Sequence, residues 1–150
     1  MFKLFLPVGL LLLLTSCMED IVPPTKLRNI SFLADKDVNE NKLVIVHMAV
    51  PKIKELYDEL LKMDSQAYFA TIKQLEATYP NDLEVFKWEI VPGAALNDIE
   101  VRFKDFRAKG IFIFAKYDDS IAGMHRLVLP QQSSVKVLLG RTECHLAYGG

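Results

Sequence analysis

Residues Leu43 to Val50 read LVIVHMAV, an unbroken apolar run that is rich in β-branched side chains and too short for a typical globular helix. A run of this kind is typical of a strand with both faces buried. Gly110 to Tyr117 (GIFIFAKY) form a second run with the same character. The two runs therefore predict two strands in the interior of a β structure.

Further strands are predicted on either side of these runs, where apolar side chains recur at every second position. The alternating segments are Leu27 to Leu33 (with Ile30 and Phe32), Val85 to Ile90 (with Phe86, Trp88 and Ile90) and Ile99 to Lys104 (with Ile99, Val101 and Phe103). Pro92-Gly93 predicts a turn after the second of these segments. Three more short strands are predicted at Met124 to Leu129, Val135 to Leu139 and Glu143 to Tyr148.

Between the second and third strands the apolar period changes to that of a helix. Pro51 suits a first helical position, and five apolar residues follow at helical spacing: Ile53, Leu56, Tyr57, Leu60 and Leu61. Asp64 or Ser65 is predicted to cap a second helix, which ends before Pro80. The pattern predicts a mainly β fold, a two-sheet β-sandwich with a short helical insertion. An α+β layer, with both helices on one face of a sheet, is the alternative.

The composition excludes several functional classes. The chain has 150 residues, the length of one domain, and a formal net charge of −1, which argues against a nucleic-acid-binding surface. Its two cysteines, Cys17 and Cys144, are too few for a disulfide scaffold or a multi-cysteine zinc site. The sequence has no G-x-S-x-G motif and no glycine-rich phosphate loop. We therefore predict no catalytic residues, no cofactor and no enzymatic activity.

The histidines do not form a recognisable catalytic or metal-binding motif in the sequence. His47, His125 and His145 lack metal-ligand spacing, so no metal site is predicted from them. We expect His47 to be a hydrogen-bonded histidine of the core or of a sheet edge. Cys144 and His145 are neighbours on a predicted strand, so their side chains should point to opposite faces and form no catalytic dyad.

The segment between the first two strands is polar and partly matches the calcium-binding loop of an EF-hand. Asp35, Asp37 and Asn39 match the first acceptor positions of an EF-hand, but Glu40 replaces its glycine and Val46 its bidentate glutamate. Asp and Asn side chains also bond to their own backbone in turns. We therefore interpret this segment as a solvated loop rather than a calcium site.

The first residues predict an exported protein. Lys3 precedes an apolar run, Leu4 to Leu14, that is too short to cross a bilayer and has the length of a secretory signal's apolar region. Leu14-Thr15-Ser16-Cys17 resembles the lipobox of bacterial lipoproteins. That resemblance implies diacylglycerol on the Cys17 sulfur, cleavage after Ser16, and acylation of the new amino terminus by a chain such as palmitate. An ordinary signal with an incidental cysteine is the alternative.

The lipobox divides the chain into three predicted parts. Residues 1–16 are a lipoprotein signal peptide, residues 17–26 a lipidated tether and residues 27–150 a single β-sandwich domain. Met18 follows the cysteine, whereas an aspartate at that position commonly retains lipoproteins at the inner membrane. The class therefore implies the outer membrane.

The order of these features resembles that of the TssJ family, the outer-membrane lipoproteins of the type VI secretion system. The shared features are the lipobox, the Asn-rich loop Asp35 to Lys42, the apolar strand Leu43 to Val50, the helical insertion, the strand closed by Val91-Pro92-Gly93, and the strand Gly110 to Tyr117. The resemblance spans nearly the whole mature chain. It implies a transthyretin-like β-sandwich without catalysis.

The resemblance also implies a function. TssJ-family lipoproteins tether a trans-envelope complex to the outer membrane by binding the periplasmic region of the inner-membrane protein TssM. The implied contact is the loop between the first two strands, and we predict four partner-binding residues in it: Asp35, Asp37, Asn39 and Asn41. The expected protein faces the periplasm and binds the membrane through its N-terminal lipid. Another periplasm-facing lipoprotein binding module is the alternative, and a hydrolase or metal-binding lipoprotein is less favoured.

Overall fold

The computed structural model describes residues 24–118 and 125–147. Cys17, the predicted signal peptide and the tether up to residue 23 lie outside these residues, as do Asp119, Met124 and Tyr148. The described elements, in chain order, are β1 (Asn29–Ala34), β2 (Val44–Pro51), α1 (Lys54–Lys62), α2 (Ser65–Thr78), β3 (Leu83–Ile90), β4 (Ala95–Glu100), β5 (Phe112–Lys116), β6 (Arg126–Val128), β7 (Ser134–Leu139) and β8 (Cys144–Leu146).

The strands form two four-stranded sheets. The first has the order β4-β1-β7-β8, in which β1 and β7 are parallel and the other pairs antiparallel. The second has the order β3-β2-β5-β6 and is antiparallel throughout. Both helices lie between β2 and β3 in sequence. The predicted mainly β fold, a two-sheet β-sandwich with a short helical insertion, is confirmed. The helices also cover one face of the second sheet, which is the feature that the α+β alternative expected.

The main core lies between the two sheets. Phe32 of β1, Met48 of β2, Ile113 of β5 and Val137 of β7 meet there and are almost fully buried. Trp88 of β3 is half-buried at the margin of this core, with its ring centroid 5.0 Å from that of Phe32. Burial of these side chains from both sheets is the main force that holds the sandwich closed.

A second core lies between the helices and the outer face of the second sheet. Ala49, Phe112 and Phe114 point outward from β2 and β5 and pack against Leu56 of α1 and Tyr68 of α2. The rings of Tyr68 and Phe114 stack with a centroid distance of 4.0 Å. β2 and β5 are therefore covered on both faces, which explains why their sequences show no alternation.

The helix boundaries agree with the prediction at α2 and differ at α1. The Asp64 carboxylate accepts a hydrogen bond from the Ala67 backbone N–H at 2.8 Å and caps α2 as predicted. The prediction that Pro51 begins α1 is wrong, because Pro51 ends β2 and faces Leu83 in the ladder with β3. Proline has no backbone N–H to donate, and at the end of a strand this donor is not needed for pairing. Helix α1 starts three residues later, at Lys54.

The segment Ile99 to Lys104 differs from its prediction. β4 ends before Val101, although Val101 and Phe103 are buried as the alternation suggested. Asp98 has a φ of 50°, and its backbone N–H donates to the Ser31 hydroxyl where the register of β1 and β4 shifts. Val101 and Phe103 lie in the loop after β4, and their side chains still pack into the main core. Buried residues therefore continue past the end of the β1–β4 ladder.

The directions of the strands place four of the connecting segments at the same end of the sandwich. Three facing pairs fix this alignment: Ala34 with Leu139, Val44 with Ile90, and Ile45 with Lys116. The chain leaves β1, β3, β5 and β7 at this end. We call it the loop end, and it consists of residues 35–43, 91–94, 117–118 and 140–143.

The opposite end carries the start of β1 and the end of β4, where Asn29 faces Glu100. The chain enters the sandwich here from the amino-terminal side. We call it the tether end, and it consists of residues 24–28 and 100–110. β1 separates the two ends by six residues, or about 20 Å.

Within residues 24–118 and 125–147 no helix is both long enough and apolar enough to span a membrane.

Candidate functional site

The β1–β2 loop at the loop end has an unusual backbone. A short 3₁₀ segment, Val38–Asn41, contains three consecutive residues with positive φ: Asn39 at 47°, Glu40 at 55° and Asn41 at 64°. Left-handed backbone costs about 1–2 kcal/mol per non-glycine residue, although asparagine tolerates it better than most residues. Such conformations persist only where their surroundings enforce them, and they concentrate at functional sites. The loop therefore has a defined shape that its neighbours must maintain.

Hydrogen bonds of Asn39 hold much of the loop in this conformation. Its side chain is 3% exposed, its Nδ2 donates to the Leu43 carbonyl at 2.9 Å, and its Oδ1 accepts from the Asp118 backbone N–H at 2.8 Å. Its own backbone N–H donates to the Arg141 carbonyl at 3.0 Å. Asn39 thus joins the β1–β2 loop to the starts of the β5–β6 and β7–β8 connections.

Other hydrogen bonds fasten the same loops together. The Asp35 backbone N–H donates to the Leu139 carbonyl at 2.9 Å, and the Asp35 carbonyl accepts from the Gly93 N–H at 3.0 Å. The Tyr117 hydroxyl donates to the Gly140 carbonyl at 2.8 Å. The four connections therefore form one continuous surface rather than four independent loops.

An exposed ion pair borders this surface. The Lys42 Nζ lies 2.9 Å from an Asp118 carboxylate oxygen, and both side chains are more than half exposed. The hydrogen bond and the charge of Lys42 lower the pKa of Asp118, while the same contact raises the pKa of Lys42. An ion pair this exposed contributes little to stability.

The side chains that the loop end presents to solvent are mixed in character. Asp35, Asp37 and Asn41 are exposed. Leu43 is 45% exposed and Val91 58% exposed, and continuing the β2–β3 register by one residue sets them opposite each other. The loop end thus combines exposed apolar area with polar groups, and protein-binding surfaces likewise have an apolar core and a polar rim. The described loop end has five carboxylates against three basic side chains: Asp35, Asp37, Glu40, Asp118 and Glu143 against Lys36, Lys42 and Arg141.

Three of the four residues predicted to bind a partner are accessible to solvent, and the apolar pair was not part of that prediction. Asp35, Asp37 and Asn41 are accessible, whereas Asn39 turns its amide inward and shapes the loop. Leu43 was predicted to begin a buried strand, and Val91 was assigned to the segment that closes another strand. The signal that could have found them is their position, because each apolar run continues one residue past the end of its ladder.

The remaining chemically interesting residues lie away from this surface. His47 is buried, with its Nδ1 3.2 Å from the Tyr68 hydroxyl oxygen, as expected for a hydrogen-bonded core histidine. Burial, and then the charge of Lys87, lower the pKa of His47 to about 4. His125 is buried with its ring centroid 4.2 Å from that of Tyr117, and His145 is exposed.

Cys144 is buried, and this burial raises the pKa of its thiol to about 12, so the reactive thiolate is disfavoured at neutral pH. Its neighbour His145 faces solvent, so the two side chains lie on opposite faces as predicted. Among residues 24–118 and 125–147, no three His, Cys, Asp or Glu side chains are placed to hold a metal ion.

No protein-family model matches the chain, and no curated protein matches it. Solved structures do. Lip from Serratia marcescens, a membrane-bound component of the type VI secretion system, matches with a TM-score of 0.63 at 15% identity, covering 85% of this chain and 100% of that one. The type VI lipoprotein TssJ1 from Pseudomonas aeruginosa matches with a TM-score of 0.63 at 22% identity, covering 85% and 98%.

The chain has the fold of the TssJ lipoproteins. A chain in a structure of the TssM C-terminal domain from EAEC also matches, with a TM-score of 0.56 at 16% identity, covering 81% of this chain and 98% of that one. The resemblance to the TssJ family is therefore confirmed for the fold of the described residues. In this TssJ fold the Asn-rich loop lies at the loop end, at the opposite end of β1 from the tether end.

Proposed function

We propose that this protein is a lipoprotein of a type VI secretion membrane complex, anchored to the outer membrane through Cys17. Its loop end binds the periplasmic region of a TssM-like inner-membrane component and so tethers the complex to the outer membrane. The TssJ fold supports this proposal, as does the match to a chain in a TssM structure. The observation that carries it is the left-handed loop, which is braced from within and offers exposed acceptors beside an apolar pair.

The anchor follows from the lipobox. After cleavage behind Ser16, the sulfur and the new amine of Cys17 carry acyl chains, and residues 17–26 connect them to the β-sandwich. Each buried acyl CH₂ contributes about 0.8 kcal/mol, so three chains hold a protein on a bilayer without any spanning helix. Met18 after the cysteine favours the outer membrane, with the β-sandwich in the periplasm.

The binding surface combines the predicted residues with those that the fold adds. Asp35, Asp37 and Asn41 offer acceptors to donors of the partner, and Leu43 and Val91 supply apolar area. Asn39 contributes by holding the loop in shape. A contact of ordinary size buries about 800 Å² on each side, so the adjoining connections of the loop end take part as well. The activity is binding, and no catalysis is proposed.

A calorimetric titration with the periplasmic region of the TssM-like component tests the surface. The triple variant Asp35→Ala, Asp37→Ala, Asn41→Ala should bind about tenfold more weakly, which corresponds to about 1.4 kcal/mol. The double variant Leu43→Ala, Val91→Ala should weaken binding by a similar factor, because it removes apolar area that the contact would bury.

The matched control is Lys26→Ala with Lys104→Ala, two exposed residues of the tether end, which should leave the affinity unchanged. Circular dichroism checks that each variant is folded. If the unaltered protein does not bind the TssM-like region, the secretion-complex proposal is wrong. If it binds and both loop-end variants bind equally well, the interface lies elsewhere on the sandwich.

A further inference from the structure

The tether end holds the chain where it leaves the β-sandwich toward Cys17. The Thr25 backbone N–H donates to the Phe106 carbonyl at 2.7 Å, and Pro24 forms a β-bridge with Arg107. Pro24 therefore lies along the loop that contains Phe106. Cys17 precedes Pro24 by seven residues, which span at most about 25 Å when fully extended.

The tether end is strongly basic, although the whole chain has a formal net charge of −1. Its six basic residues are Lys26, Arg28, Arg102, Lys104, Arg107 and Lys109, and its two acidic residues are Glu100 and Asp105. Lys52, Asp82 and Glu84 border this surface and leave the combined net charge at +3. The positive charge is therefore concentrated at the end of the sandwich that carries the tether.

An exposed aromatic ring lies within this basic surface. Phe106 is 51% exposed, and the Arg28 guanidinium lies 5.2 Å from the centre of its ring. Beside the ring is an open groove of about 480 Å³, which Arg102 and Phe103 help to line. Arg102 pairs with Glu100 at 2.9 Å and Arg107 with Asp105 at 2.7 Å.

We propose that the tether end rests on an anionic phospholipid bilayer, with Phe106 at the level of the headgroups and the basic side chains against their phosphates. This inference rests on the proposed lipidation of Cys17, and it adds a second attachment of the protein to the membrane. Basic residues near an anionic bilayer and aromatic rings at its interface are both favourable. An acyl anchor combined with a basic patch is also a recurrent means of stable membrane attachment.

The short tether favours the bilayer over another occupant. With at most about 25 Å of chain between the acyl chains and Pro24, the basic surface is the part of the described sandwich held nearest the headgroups. Contact there would point the loop end away from the bilayer, on the far side of β1. The proposed partner surface would then face into the periplasm.

The test uses the mature, lipidated protein in phosphatidylcholine vesicles, with or without phosphatidylglycerol, that contain brominated lipid as a contact quencher. Phe106→Trp places a reporter at the tether end, and Val91→Trp places a matched reporter at the loop end, where Val91 is 58% exposed. The parent protein, with Trp88 as its single tryptophan, provides the background signal.

Brominated lipid should quench the signal from position 106 in vesicles with phosphatidylglycerol and spare the signal from position 91. Replacing Lys26, Arg102 and Lys104 by Gln should reduce the quenching, because each basic residue near an anionic surface changes the contact equilibrium by about fivefold. Arg28 stays in place because it donates to the Thr25 and Leu27 carbonyls. Salt at 1 M should also reduce the quenching, since the screening length falls to about 3 Å.

Mass spectrometry first verifies the acyl chains. On an acylated protein, equal quenching at positions 91 and 106, or no quenching at 106 in either vesicle, overturns the bilayer contact and leaves the lipoprotein proposal intact. Absence of acyl chains overturns both. If the Gln variant keeps its quenching but loses affinity for the TssM-like region, the basic side chains bind an acidic protein segment, and their proposed contact with the lipid phosphates is wrong.

Discussion

The two ends of the β-sandwich are built differently. The loop end is held by hydrogen bonds from a buried amide, Asn39, and presents acceptors and an apolar pair. The tether end is held by charged groups: Lys52 is 6% exposed, lies 3.2 Å from a Glu84 carboxylate oxygen and donates to the Asp105 carbonyl. Its exposed side chains are mostly basic.

In our proposals, this difference assigns one task to each end of a small fold. Each sheet runs from one end to the other, so the core that stabilises the strands is shared while the side chains at each end vary independently. In our proposals the loop end binds protein and the tether end binds lipid. Variants confined to the tether end should therefore leave protein binding at the loop end unchanged, and the reverse should hold for lipid contact. The following predictions test this independence of the two ends.

The largest effect is expected from Cys17→Ser, which removes the acyl acceptor. The variant should lose lipid labelling completely and no longer be anchored by acyl chains. Because the loop end lies at the opposite end of β1 from Pro24, where the described chain begins, its affinity for the TssM-like region should remain that of the unaltered protein. Metabolic labelling with a fatty acid, followed by titration, measures both. Unchanged labelling of the variant would contradict the lipoprotein proposal.

A smaller effect is expected from Asn39→Ala at the loop end. The substitution leaves the Leu43 carbonyl and the Asp118 N–H without their buried partner and removes a residue that tolerates left-handed backbone. We expect the free energy of unfolding to fall by about 1–3 kcal/mol and partner binding to weaken. Denaturant unfolding followed by Trp88 fluorescence measures the first quantity.

Asn41→Ala is the matched control, since Asn41 has a similar φ but an exposed side chain. It should destabilise the protein less than Asn39→Ala does. Equal destabilisation by the two variants would mean that backbone conformation, and not the buried amide, maintains the loop.

The smallest effect is expected from His47, which lies in the second core between the ends. Because burial lowers its pKa from 6.5 to about 4, the unfolded chain binds more protons between these values, and stability falls as pH decreases through that range. We expect a loss of about 1–2 kcal/mol between pH 7 and pH 5. In His47→Gln this part of the pH dependence should be absent.

His145→Gln is the control, because it also replaces a histidine but at an exposed position outside the core. Unfolding midpoints at the two pH values measure the difference. If the loss of stability between pH 7 and pH 5 is the same in His47→Gln, groups other than His47 cause it.

Local pattern was a good guide to the elements and a poorer one to their boundaries. The apolar runs of β2 and β5, the helical insertion and the Asp64 cap were all correctly predicted from neighbouring residues. Pro51 and the segment after Glu100 were misplaced, because a strand ends where its ladder ends and not where its apolar pattern stops. The helices were expected, but their packing on the outer face of the second sheet was not specified by periodicity.

The sequence by itself determined the mainly β character and the position of the helices, because each depends on residues adjacent in the chain. The lipobox chemistry at Cys17 also depends on adjacent residues, and it stays a prediction. Only the tertiary structure decided which side chains meet at each end. Asn39 turns inward because Asp118 and Arg141 lie beside it, and Phe106 lies next to the tether because Thr25 donates to it. These contacts join residues far apart in sequence, so they depend on the register and direction of strands that no local pattern encodes.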